Sequence, residues 1–208
     1  MFEYLKQLFE KMKHIIKPGI WKIIKLFYDN HNSQLYLREI SRKVGMNESS
    51  VSRHLNELTK HKILIANLDG NLKKFKIAVK FLPKLFSLYD QEKLMNLPSI
   101  RRNAMQYYLK KTINKPLLAV VFGSTAKGTF KEESDLDILL VSSSKIDNSQ
   151  AIKYAQAQTG IKIQEFQVDE KTFYKEIKSK NDKVLQSAIQ TGFPIFNCEY
   201  FYEVIYNE

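Results

Sequence analysis

Cysteine is almost missing: the 208 residues contain one, Cys198. A single thiol forms no internal disulfide, and no Cys or His stands beside it at metal-ligand spacing. That excludes a disulfide scaffold and a zinc module, and the expectation is a structural Cys in a reducing, cytoplasmic setting. Glycine (7) and proline (5) are also scarce, which argues against low-complexity or disordered character. No stretch approaches the ~18 consecutive apolar residues of a membrane-spanning helix, so no membrane partner is expected. His14, His31, His54 and His61 share no motif, and none reads as a metal ligand.

What is present suits two compact domains. Hydrophobic residues make up 44% of the chain, with 13 Phe and 11 Tyr among them. The opening segment MFEYLKQLFEKMKHIIK carries charges throughout its apolar pattern, unlike the uninterrupted core of a signal peptide. Phe2, Leu5, Phe9, Met12 and Ile16 recur at helical steps and predict an amphipathic helix over 1–17. The formal net charge is +11 and unevenly placed. Residues 1–110 hold 21 Lys+Arg against 9 Asp+Glu, and residues 111–208 hold 12 against 13. The excess lies in the first half, which is suited to a polyanion.

In that half, residues 20–30 have helical periodicity and end in a turn-forming cluster, and a second helix is expected from Leu35 to Val44. Gly45 follows where a left-handed cap is needed, and Asn47 is placed to cap a third helix running to Leu58. Lys62–Ala66 and Leu72–Val79 flank the hairpin signal Asp69-Gly70-Asn71. Leu37, Ile40, Val44, Val51, Leu55 and Leu58 are spaced to share a core. Ser49, Ser50, Ser52, Arg53 and Asn56 are left on the outer face of the third helix. Small hydroxyl residues allow close approach to base edges, Arg53 can reach a guanine or a phosphate, and Lys73, Lys74 and Lys76 supply cations to a nucleic-acid backbone. The phrase LREISRKVGMNESSVSRHLNELTKHKIL resembles winged helix-turn-helix regulators over residues ~18–80. The resemblance implies duplex DNA as partner, bound by a homodimer. A winged helix used only for protein contacts is the competing reading.

Residues 83–112 read as a helical connector punctuated by Pro83 and Pro98, with Tyr107 and Tyr108 as packing residues. Beyond it, Leu117–Phe122 is a continuous apolar run suited to a buried strand that ends at Gly123-Ser124. Leu136–Val141 is a second such strand. Asp135 and Asp137 stand two apart at its start, so strand alternation points both carboxylates to one face. Two hard oxygen donors on one face can hold Mg²⁺ together with substrate phosphates. A glycine at a strand end lets phosphate approach the backbone, a serine hydroxyl can hydrogen-bond it, and a following helix would favour the anion.

The segment GSTAKGTFKEESDLDILLV resembles the signature of polymerase-beta-type nucleotidyltransferases, the minimal ones above all, and LQSAIQTGFPIFN is similar to their last helix and strand. The resemblance covers ~110–200. It implies an α+β fold whose mixed sheet is flanked by helices, two Mg²⁺ ions, and transfer of a nucleotidyl group from ATP or another nucleoside triphosphate. It assigns Asp135 and Asp137 to metal and catalysis, and Gly123, Ser124, Lys127 and Ser134 to the nucleotide. It also requires a third carboxylate on a neighbouring strand. Glu165 in Ile161–Val168 is the first candidate and Asp169 the second; without either, the domain would bind nucleotide and metal with little turnover.

The expected organisation is an N-terminal helix (1–17), a winged helix-turn-helix (18–82), a connector (83–112) and a nucleotidyltransferase-like domain (113–208). Two functions fit it. One is an enzyme that transfers AMP to a hydroxyl acceptor, a protein among the candidates. The other is a nucleotide-sensing transcriptional regulator with weak or no catalysis.

Overall fold

Pro18 fixes the first turn of α1 (Pro18–Asp29), whose Trp21, Ile23, Ile24, Phe27 and Tyr28 form its buried stripe. The computed structural model describes residues 17–30, 33–112 and 114–206. The helix expected over 1–17 lies, apart from Lys17, outside the described residues. A short strand β1 (Leu35–Tyr36) leads into α2 (Leu37–Val44), and Gly45 closes that helix at φ +65°, a left-handed conformation that costs glycine little. Asn47 caps α3 (Glu48–Lys60) by accepting from the Ser50 amide at 2.8 Å. Ile40, Val51, Leu55 and Leu58 are buried beneath α2 and α3.

Strands β2 (Leu64–Asp69) and β3 (Leu72–Ile77) form an antiparallel hairpin, and β1 pairs with β3 to give the sheet order β1-β3-β2. The helix expected from Leu35 therefore starts two residues later. Leu35 and Tyr36 are drawn into pairing with Phe75 and Lys74, a long-range contact that local periodicity does not contain. A turn of 3₁₀ helix (Val79–Phe81) precedes α4 (Leu82–Asn96). The chain separates into two compact units whose boundary falls between Gln91 and Glu92, inside α4.

The second unit contains α5 (Ser99–Lys111), β4 (Leu118–Phe122), α6 (Gly123–Lys127), β5 (Leu136–Ser142), α7 (Ser149–Thr159) and β6 (Ile163–Asp169). It continues with α8 (Glu170–Ser179), α9 (Lys183–Thr191), β7 (Phe193–Phe196) and α10 (Cys198–Tyr206). Its mixed sheet has the order β6-β5-β4-β7, with β5 and β6 parallel and the other pairs antiparallel. β4 is buried along its whole length and β5 nearly so, in keeping with their apolar runs. The fold class is α+β: a helix-turn-helix region, then a mixed sheet flanked by helices.

The residues read as a connector do more than bridge. Arg101, Ala104, Met105 and Tyr108 of α5 are buried at helical spacing in the second unit, and the Tyr107 ring meets that of Tyr154. Among the described residues no helix is long and apolar enough to cross a membrane.

Candidate nucleotide and DNA sites

β4 and β5 pair antiparallel with Phe122 opposite Asp137, so these two side chains share a face. Asp135 stands two residues before Asp137, and the Leu136 amide continues the ladder by donating to the Lys162 carbonyl at 2.8 Å. Both carboxylates thus lie on one face, and Leu136 points into the core with no exposed surface. Gly123 follows Phe122 at φ +66°, and a Cβ there would overlap the Asp137 carboxylate. The glycine supplies both the left-handed turn and the room for that side chain.

Partial burial pushes the Asp137 carboxyl above its ordinary value, and the Asp135 charge beside it pushes in the same direction. The Asp135 carboxylate pairs with Lys162 at 3.8 Å, an exposed ammonium, and the Arg101 guanidinium lies near enough to interact with its charge. Two carboxylates on one face are a donor pair that could hold a divalent cation, phosphate oxygens and water supplying the rest of its shell. Among the described residues, no cluster of three or more His, Cys, Asp or Glu is arranged to hold a metal by itself.

The remaining nucleotide candidates lie on the adjoining turn. Ser124 is half-buried and Lys127 exposed on α6, the five-residue helix that follows the strand as expected. The Ser134 hydroxyl accepts from the Lys131 amide at 2.8 Å and so shapes its own loop.

Glu165 is in a different place from the one expected of a third carboxylate. It lies opposite Ile138 in the parallel β5–β6 pair, on the sheet face away from Asp135 and Asp137. There it accepts hydrogen bonds from the Tyr108 hydroxyl, the Asn148 amide (2.9 Å) and the Gln167 amide. Burial and the adjacent carboxylate push the Tyr108 phenol far above its ordinary value, so it remains the donor. The alternative, Asp169, caps α8 by accepting from the Thr172 amide at 2.8 Å. The β6 residue opposite Asp137 is Gln164, an exposed amide, and Phe166 follows on the same face with its ring against Phe122.

Sequence reading missed Arg101, which is 2% exposed. Its guanidinium donates to Thr125 Oγ1 (3.0 Å) and to the carbonyls of Lys131 (2.9 Å), Ser134 (2.8 Å) and Asp135 (3.5 Å). An arginine in a polar helical stretch carries no local mark of burial; only the fold brings these carbonyls to it.

In the first unit, Ser49, Arg53 and Asn56 are exposed on α3, and Ser50 and Ser52 are half-buried. Ser49 donates to the Asn47 side chain, and Arg53 folds back toward the Ser50 hydroxyl at 3.3 Å. A groove of about 640 Å³ runs between α3 and the hairpin, and Arg38, Ser52, Asn56, Asn71 and Lys73 are among its lining residues. Arg38 and Asn71 were not singled out from sequence. Lys73 is exposed, whereas Lys74 is 2.5 Å from the Asp69 carboxylate and sits over the Tyr36 ring. The two wing lysines, alike in sequence, are therefore not equivalent.

Residues 103–199 match the family model described as polymerase beta, nucleotidyltransferase, and residues 23–65 match that of the IclR helix-turn-helix domain. Comparison with curated proteins and with solved structures finds no match to either.

Proposed function

We propose that this chain, a helix-turn-helix domain followed by a polymerase-beta-type nucleotidyltransferase domain, is a nucleotide-responsive DNA-binding regulator. It takes ATP or a related nucleoside triphosphate with Mg²⁺ at Gly123, Ser124, Asp135 and Asp137. The observation that carries this reading is the β5–β6 register, which pairs Asp137 with Gln164 and turns Glu165 to the opposite face. Mg²⁺ bound there would neutralise phosphate charge. Asp135 and Asp137 would hold it, Gly123 would let the phosphates reach the backbone, and Ser124 and Lys127 would donate to them. Gln164 is no base at neutral pH, so an acceptor hydroxyl meets an amide where the family's chemistry calls for a carboxylate.

The first unit would bind duplex DNA as a homodimer in the cytoplasm. Ser49, Ser50, Ser52, Arg53 and Asn56 would face the bases, while Lys73 and Arg38 contact phosphates. Charge and groove support this assignment. Regulation follows if the DNA-competent and DNA-incompetent states differ in nucleotide affinity.

The match over residues 103–199 favours a second reading, transfer of AMP to a hydroxyl acceptor. One experiment separates the two. Full-length protein is titrated with ATP in the presence and absence of Mg²⁺, and pyrophosphate release is followed with labelled ATP. The regulator reading expects Mg²⁺-dependent binding with little release, and a gain of release in Gln164→Glu. Rapid release by the wild type favours the enzyme, and absence of Mg²⁺-dependent nucleotide binding refutes both.

A further inference from the structure

Arg101 is the largest of the fully buried side chains among the described residues, and the function proposed above does not use it. A buried guanidinium is expected to face a carboxylate. Its hydrogen bonds instead run to one hydroxyl and three main-chain carbonyls. Those acceptors come from both parts of the nucleotide site: Thr125 belongs to the turn after Gly123, while Lys131, Ser134 and Asp135 form the approach to β5. The guanidinium carbon also lies 4.4 Å from the Phe130 ring centroid, stacked in the same loop.

Other ties of that loop include the Asp135–Lys162 pair at 3.8 Å and bonds within the loop itself. The Ser134 amide and the Lys131 carbonyl close a turn at 3.1 Å, and the Thr129 amide reaches the Ser124 carbonyl at 3.0 Å. Both bonds are local, joining residues three and five apart in sequence. The bonds from Arg101 cross 24 to 34 residues of sequence and anchor the turn to α5. Burial lowers the Arg101 pKa and the nearby Asp135 charge raises it, and an arginine remains protonated in either case.

Resting on the nucleotide-binding reading, we infer that Arg101 is the positioning residue of the site. It holds the Thr125 turn and the Asp135 backbone in one geometry, so that the two carboxylates and the phosphate-binding turn meet a metal–nucleotide together. The planar fork is what the role needs. Lysine retains the charge but cannot serve four acceptors from two nitrogens while lying flat on a ring.

The test uses full-length Arg101→Lys and Arg101→Gln, with Thr125→Val as a milder variant that removes one acceptor while preserving shape. Two quantities are measured: amide hydrogen exchange over residues 124–135 without nucleotide, and the Mg²⁺ concentration that gives half-maximal binding of a fluorescent ATP analogue. Positioning predicts faster exchange in that loop and a Mg²⁺ requirement raised about tenfold or more in both Arg101 variants, with a smaller shift in the same direction in Thr125→Val. Wild-type behaviour in Arg101→Lys would reduce the role to charge and overturn the inference. So would lower thermal stability with loop exchange and Mg²⁺ requirement both unchanged, the mark of a purely structural arginine. If the wild type binds no Mg²⁺–nucleotide, the functional reading fails, and unaltered loop exchange in the variants independently removes the positioning role.

Discussion

Gly123 joins two requirements at one atom. Its φ of +66° disfavours any side chain, and a Cβ would occupy the place of the Asp137 carboxylate. Gly123→Ala is therefore expected to weaken Mg²⁺-dependent nucleotide binding about tenfold or more and to lower stability by at least about 1 kcal/mol. Isothermal titration and thermal melting check the two effects, and unchanged affinity would mean that the carboxylate is not used. The wing lysines give a second contrast at this scale. Lys73→Ala should flatten the plot of log DNA affinity against log salt by about 0.9 for one lost phosphate contact. Lys74→Ala should flatten it less, because Asp69 and Tyr36 already engage that ammonium. Fluorescence anisotropy at several salt concentrations distinguishes them, and equal slopes would refute the contrast.

At the scale of elements, β6 is read by its two faces. Glu165 joins Tyr108 of α5 to Asn148 at the start of α7, so this carboxylate ties helices to the sheet. Tyr108→Phe removes a donor from a part-buried acceptor and should cost about 1–3 kcal/mol of stability. Mg²⁺–nucleotide affinity should stay unchanged, because the network lies on the face away from Asp135 and Asp137. A loss of affinity matching the loss of stability would place Glu165 back in the site. In the first unit, Asn47 satisfies an otherwise unpaired amide at the start of α3. Asn47→Ala should cost about 1 kcal/mol, measured by denaturant unfolding, and should weaken DNA binding by loosening the helix that carries Arg53.

For the molecule as a whole, the proposal predicts linkage. Mg²⁺–ATP at about 100 times its Kd should stabilise the protein by about 2.7 kcal/mol, visible as a rise in Tm that disappears in Asp135→Asn/Asp137→Asn. If nucleotide regulates DNA binding, the factor by which it changes DNA affinity must equal the factor by which DNA changes nucleotide affinity. Anisotropy titrations from both directions test this, and a factor of one in both would leave two independent binding functions in a single chain.

Much of this protein is legible in its sequence. Periodicity, turn chemistry and capping placed α2, α3 and the hairpin, because these signals act within a few residues. Asp135-Leu136-Asp137 disclosed a shared face, because strand alternation is a local property. The division of charge between the two halves needed nothing but counting. The tertiary structure decided what depends on which distant segments meet. Leu35 and Tyr36 became a strand because β3 lies beside them. Lys74 and Lys73 were separated by the reach of Asp69. Arg101 is buried on α5 because four oxygens from another part of the chain converge on it. The register of β6 is the sharpest case. The alternation within Ile163–Asp169 puts Gln164 and Glu165 on opposite faces, but only pairing with β5 determines which of them faces the two aspartates, since a one-residue slip exchanges them.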